Sequence, residues 1–144
     1  MVAKRAFRQP ESVFRSENKL IKGNIMTLDE IADGLARVKG VLATAIVDYG
    51  SGMIMSGRCN APELDLEVLA AGCVNILNAK LRVLQMTGLN DSIHDIQINL
   101  SSQYHLICPA RGKENALIYL IADRKTANLA ICRRSLFQAE QLLH

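Results

Sequence analysis

Residues Val41 to Gly57 hold two short apolar runs on either side of a glycine-containing break. Val41, Leu42, Ala45, Ile46 and Val47 make the first run, Asp48-Tyr49-Gly50-Ser51-Gly52 interrupts it, and Met53-Ile54-Met55 starts the second. That pattern predicts a β-hairpin. The first run has no polar alternation, which predicts a strand buried on both faces. A strand covered on both sides needs a helix layer on each face of its sheet. The hairpin therefore predicts an α/β/α sandwich, against which the rest of the chain can be tested.

The remaining segments fit. Thr27-Leu28-Asp29-Glu30 is a capping-box pattern, Leu28, Ile31, Leu35 and Val38 follow at helical spacing, and Gly40 closes the helix. Pro62-Glu63-Leu64-Asp65 is expected to open a long second helix that runs to about Met86, ahead of Gly88; proline suits a first turn and acids suit the positive end of the helix dipole. Ile96, Ile98 and Leu100 alternate with Asp95, Gln97 and Asn99, which predicts an edge strand with one polar face. Tyr104–Cys108 is the next strand, with Pro109 expected to end it. Ala116 to Ala122 is apolar at every position and is expected to be central. A last helix is expected from near Thr126, using Leu129, Leu136, Leu142 and Leu143. The order is α-ββ-α-βββ-α, an α/β (α+β) sandwich.

The chain has 144 residues, 49% of them hydrophobic, so it reads as one domain with a sizeable core. Trp is absent and only 4% of residues are aromatic, so that core must be aliphatic. Charge divides the chain into a basic N-terminal arm, 1–26, expected to be flexible, and a domain, 27–144. The arm carries Lys4, Arg5, Arg8, Arg15, Lys19 and Lys22 against Glu11 and Glu17, while the remainder is close to neutral. A basic arm could bind nucleic acid or an anionic membrane through Lys4, Arg5 and Arg8; the bland reading is a solvated tail, with Val13, Phe14, Leu20 and Ile21 available to dock part of it. No apolar h-region follows the basic residues, which argues against a secretory signal, and no candidate helix is free of charges over a membrane-spanning length.

Chemical motifs are sparse. Cys59, Cys73, Cys108 and Cys132 lack the close pairing of metal ligands and sit among apolar residues, so all four read as reduced core thiols. That usage points to a cytoplasmic setting. There is no GxxxxGK[ST] phosphate loop, and Gly50-Ser51-Gly52 reads as a turn. His94 and His105 fall on adjacent predicted strands near Asp95 and Ser101/Ser102, but no nucleophile elbow accompanies them. Arg133-Arg134 lack the interleaved aromatics of a single-strand platform. No catalytic, cofactor-binding or metal-ligating set is expected, and no enzyme.

The long helix is more telling. Placed on a wheel at about 100° per residue, Leu66, Leu69, Ala70, Cys73, Ile76, Leu77 and Leu84 form one apolar face, expected to pack on the sheet. Lys80 falls inside that face, with its stem expected along the core edge. A second stripe lies roughly opposite: Leu64, Val68, Ala71, Gly72, Asn75, Ala79, Arg82 and Met86. Gly72 costs about 1 kcal/mol relative to alanine inside a helix, and a close backbone approach would explain it. A helix with two apolar faces in so small a domain predicts an interface with another subunit.

In element order and motifs the chain resembles the roadblock/dynein-light-chain family, which includes bacterial partners of small Ras-like GTPases. The resemblance covers about residues 27–143. It is carried by Val38-Lys39-Gly40-Val41 with Asp48-Tyr49-Gly50 and Met53-Ile54, by Ala70-Ala71, and by Ala127-Asn128-Leu129-Ala130 with Arg133. Lys39 stands where the family commonly has proline, and the basic arm is an addition. The resemblance implies a five-stranded antiparallel sheet with the long helix on one face and the first and last helices on the other. It also implies a homodimer in which the long helices pair and edge strands bearing Ile96 and Ile98 join the sheets. The function it implies is a non-enzymatic scaffold or regulator of a small GTPase. Two alternatives stand beside it: an oligomerisation module that recruits a cytoskeletal or signalling protein, and a nucleic-acid or membrane tether acting through the arm. An arginine finger from Arg82 is a further thought.

Overall fold

The computed structural model describes residues 26–144. The basic arm, with Lys4, Arg5 and Arg8, lies outside the described residues. Eight elements follow in order: α1 (Leu28–Ala36), β1 (Val41–Asp48), β2 (Met53–Cys59), α2 (Leu66–Thr87), β3 (Ile96–Asn99), β4 (Gln103–Pro109), β5 (Ala116–Asp123) and α3 (Leu129–Gln141). The five strands make one antiparallel sheet in the order β2-β1-β5-β4-β3. The expected α+β architecture is present, with β5 at the centre and β3 at an edge.

Alternation along β5 builds two cores. Leu117, Tyr119 and Ile121 point to one side and pack with Ala43, Ala45 and Val47 of β1 and Ala70, Cys73, Val74 and Leu77 of α2. Ile118, Leu120 and Ala122 point to the other and pack with Ile31 and Leu35 of α1 and Cys132 and Leu136 of α3. Strands with apolar side chains on both faces must have helices on both faces, and this chain provides them. Met26 is buried in the second core, so the folded unit includes it.

Each helix starts on a side-chain cap that takes one of its orphan backbone donors. Thr27 Oγ1 accepts from Glu30 N at 3.1 Å, Asp65 Oδ1 from Val68 N at 3.2 Å and Asn128 Oδ1 from Ile131 N at 3.1 Å. These caps correct two expected starts. Asp65 is the cap of α2, not part of its first turn, so Leu64 precedes the helix and packs half-buried against the α2-side core. Asn128, not Thr126, begins α3; Leu142 and Leu143 follow its end, with Leu143 still buried. Pro109 is the last residue of β4, a terminal position a strand tolerates.

The hairpin turn is built by Asp48, whose Oδ1 accepts from Gly50 N at 2.8 Å and Ser51 N at 3.3 Å. Asp48 is thus a turn residue, as its setting suggested. Cys73, Cys108 and Cys132 are buried, as expected of core thiols, but Cys59 is exposed because it lies on β2, the other edge of the sheet.

Candidate functional site

The outer face of α2 is the candidate site. The side chains that reach the sheet are Ala70, Cys73, Val74 and Leu77, flanked by half-buried Leu66, Leu69 and Leu81. This face is rotated from the expected one. Val74 and Leu81 belong to it, whereas Ile76 is 43% exposed and Lys80 is exposed outright. Leu84 is only half-buried. Ala43 and Ala45 of β1 belong to the same core cluster as Val74.

Turning the wheel enriches the opposite face. Val68 is 66% exposed and Met86 78% exposed, and Ile76, Val83 and Leu89 join them. Ala71, Gly72, Asn75, Ala79 and Arg82 are exposed between and beside these residues. Of the stripe expected from the sequence, all but Leu64 therefore lie together on the outer face of one helix. Scattered surface leucines need no explanation, but large apolar side chains gathered on one helix face do. A Cβ built on Gly72 meets nothing within 4 Å. Among the described residues, nothing lies close to where a Gly72 side chain would begin.

The two edge-strand residues sit differently from the expectation. Ile96 and Ile98 turn inward and pack half-buried against the α2-side core, while Gln97 and Asn99 on the other face bond each other at 2.9 Å. Among the described residues, β3 pairs with β4 alone and its other backbone edge is unpaired. Ile98 also helps line a 190 Å³ cavity between α2 and the sheet, with Val68, Gly72 and Ile76 at the helix side and His105 and Tyr119 on the sheet side. Arg82 lies on a separate open cleft with Asn78 and Asp91. Asn78 reaches the other way and donates to Tyr49 O at 3.3 Å, pinning α2 to the hairpin turn.

The two internal histidines are not partners. His94 lies before β3, 3.0 Å from Asp95 and edge-on to Phe137. Arg133 is held there too, 3.1 Å from Asp95 and over the Phe137 ring. His105 is buried, with Nδ1 2.6 Å from the Tyr119 hydroxyl and Nε2 2.9 Å from Gln103 Oε1. Neither ring bonds a serine. The Gln103 carbonyl oxygen accepts from Nε2–H, which leaves Nδ1 to accept from Tyr119. This pair escaped the sequence reading because nothing local links residues 105 and 119; only the β4–β5 pairing brings them together.

Burial lowers the His105 pKa below its ordinary value and raises those of the buried groups near it. Cys73 is pushed up to about 12, and Tyr119 is raised further, mainly by burial. Because folded His105 binds its proton less readily than the unfolded chain does, its contribution to stability is complete above about pH 6.5 and is lost as pH falls toward the folded value. Urea unfolding should therefore show the protein less stable at pH 5.5 than at pH 7.5, by at most about 1.4 kcal/mol from this group. His105→Gln should remove that part of the pH dependence; an unchanged slope would refute the assignment.

No family model matches the chain, and no curated protein matches it. Its fold does match solved structures. MglB of Myxococcus xanthus superposes with a TM-score of 0.69 at 14% identity, over 79% of this chain and 89% of that one. A Roadblock/LC7 domain from Streptomyces avermitilis gives 0.67 at 14% identity, over 81% and 93%. The gliding protein MglB of Thermus thermophilus gives 0.68 at 18% identity, over 79% and 83%. Among the described residues, three helices around a five-stranded antiparallel sheet, in this order and with these neighbours, make a roadblock fold.

Proposed function

We propose that this protein is a non-enzymatic, dimeric scaffold or regulator of a small Ras-like GTPase. The observation that carries the reading is the outer face of α2, where Val68, Ile76, Val83 and Met86 surround a glycine with open space above it. Two copies of such a face cover each other by helix-on-helix packing, with Gly72 allowing the axes to come close. Among the fold neighbours, one MglB structure is described as having a tetrameric arrangement, which supports self-association as a habit of the fold. The likeness to MglB, read with the resemblance of the motifs, supports a GTPase as the partner.

A regulatory role suits the chemistry. Cys73 and Cys108 are pushed up to about 12 and Cys132 to about 11 by burial, so these thiols stay protonated and poorly nucleophilic at neutral pH. His105 spends both ring nitrogens on Tyr119 and Gln103. Any effect on hydrolysis would come from repositioning the GTPase's own residues, or from Arg82 at the edge of the α2 face.

Calorimetric titration against small Ras-like GTPases, loaded with GDP or a GTP analogue, tests this. Binding that depends on the nucleotide is expected. A stable dimer that binds no GTPase would leave an oligomerisation module instead. The basic arm, shortened to residues 1–25 because Met26 is buried in the core, is proposed to be separable. Deleting residues 1–25 is expected to leave the dimer intact and the melting temperature nearly unchanged, while weakening low-salt binding to acidic partners. A fall of many degrees would show that the arm is part of the fold, since burying even one large apolar side chain is worth about 1.5–3 kcal/mol. A tether to nucleic acid or membrane would show a steep salt dependence lost with the same deletion.

A further inference from the structure

The cavity between α2 and the sheet opens within the apolar face assigned above to the second copy, and its sheet side carries a histidine. Val68 and Ile76 belong both to the exposed face and to the cavity's rim, so whatever covers the face also covers the cavity. Nothing that lines it is charged. The titratable groups around the ring are Cys73 from α2 and Tyr119 from β5; β3 contributes Ile98. The hydrogen bonds favour a neutral imidazole, in which Nε2–H donates to Gln103 and Nδ1 accepts from Tyr119. A second proton would go on Nδ1, and the Tyr119 hydroxyl would have to turn its hydrogen into apolar surroundings.

We propose that His105 links self-association to pH: a second copy seated on α2 seals the 190 Å³ cavity over a ring that must then stay neutral, so acidification drives the copies apart. The inference rests on the α2 dimer proposed above. Its physical basis is that an open cavity lets water reach a protonated ring, whereas a covered one does not. The separated chain therefore binds protons more readily than the dimer. Across the interval between the two pKa values, each pH unit raises the dimer Kd by about tenfold per histidine, and by about a hundredfold for two symmetric sites.

Sedimentation equilibrium of the full chain from pH 8.0 to 5.5 at constant ionic strength tests this, with circular dichroism at each pH confirming that the fold persists. Wild type should dissociate progressively as the pH falls, with its midpoint below the ordinary histidine value of about 6.5 because the ring is already buried in the separated chain. His105→Gln should dimerise with a Kd that is nearly flat over the same range. Tyr119→Phe removes the hydroxyl donor that favours neutral Nδ1, so dissociation should begin at higher pH than in wild type. A structural role for the ring alone would not move that midpoint. A wild-type dimer with a pH-independent Kd would overturn the proposal and leave the dimer standing. The same pH dependence in His105→Gln as in wild type would also overturn it. A chain that is monomeric even at pH 8.0 would remove both readings.

Discussion

Gly72→Arg is expected to give a folded monomer. The substitution costs the single chain nothing, because a Cβ there meets no atom within 4 Å and arginine is a better helix former than glycine by about 1 kcal/mol. Between paired helices it is severe. Two bulky, charged side chains, one per copy across a two-fold axis, would occupy the closest approach and lose water without a partner. A penalty of about 3 kcal/mol raises the dimer Kd by more than about a hundredfold. Light scattering coupled to size exclusion should show half the wild-type mass, with an unaltered circular dichroism spectrum. A folded Gly72→Arg dimer with wild-type affinity would move the interface off this face.

Gly40→Val should be the most destabilising single change outside the apolar cores. Gly40 has φ +86°, and its Cβ position lies 2.5 Å from Ala127, with Ala127 backbone atoms equally near. Its carbonyl accepts from Asp123 N at 2.8 Å, so the backbone is tied to the end of β5 and cannot rotate away. Left-handed geometry costs a non-glycine residue about 1–2 kcal/mol, and overpacking adds about 1–3 kcal/mol. A total of about 2–5 kcal/mol should lower the melting temperature by on the order of 10 °C in a domain of this size. Thermal unfolding at matched concentration checks this; a shift of only a few degrees would mean that the α1–β1 and β5–α3 connections can separate without consequence.

The strands were legible in the sequence because their sidedness is written at period two. Ala116–Ala122 alternates large apolar residues toward both cores, and Val41–Val47 does nearly the same, so the two-sided sheet follows from these runs. The caps were legible to within a few residues. Asp65 and Asn128 end up capping helices that the sequence reading starts a few residues early, the first at Pro62-Glu63-Leu64-Asp65 and the second near Thr126. The face of α2 was less legible. Val74 and Ile76 are chemically similar and lie on different sides of one helix, so side-chain chemistry alone does not say which of the two faces the sheet. The histidine pair was not legible at all, since His105 meets Tyr119 only through strand register. The placing of the stripe, Leu64 apart, on the exposed face of α2 was legible, because small and apolar residues at solvent positions stand out against the polar residues such positions usually hold.

The two edges of the sheet differ in a way that limits growth. Between Ile46 and Val47 the β1–β2 register shifts, because Ser56 and Ile54 are their successive partners and Met55 is left over as a bulge. The same strand is tethered sideways to α1, with Ser56 bonded to Asp29 and Arg58 to Asp33. A bulged, laterally anchored strand is a poor template for another sheet. β3, at the opposite edge, has no such interruption in its pairing with β4. Sheets that met through β3 would place the bulged strands at both far ends. Such an assembly would terminate itself at two copies, so that joining sheets edge to edge would form a closed particle rather than a fibre.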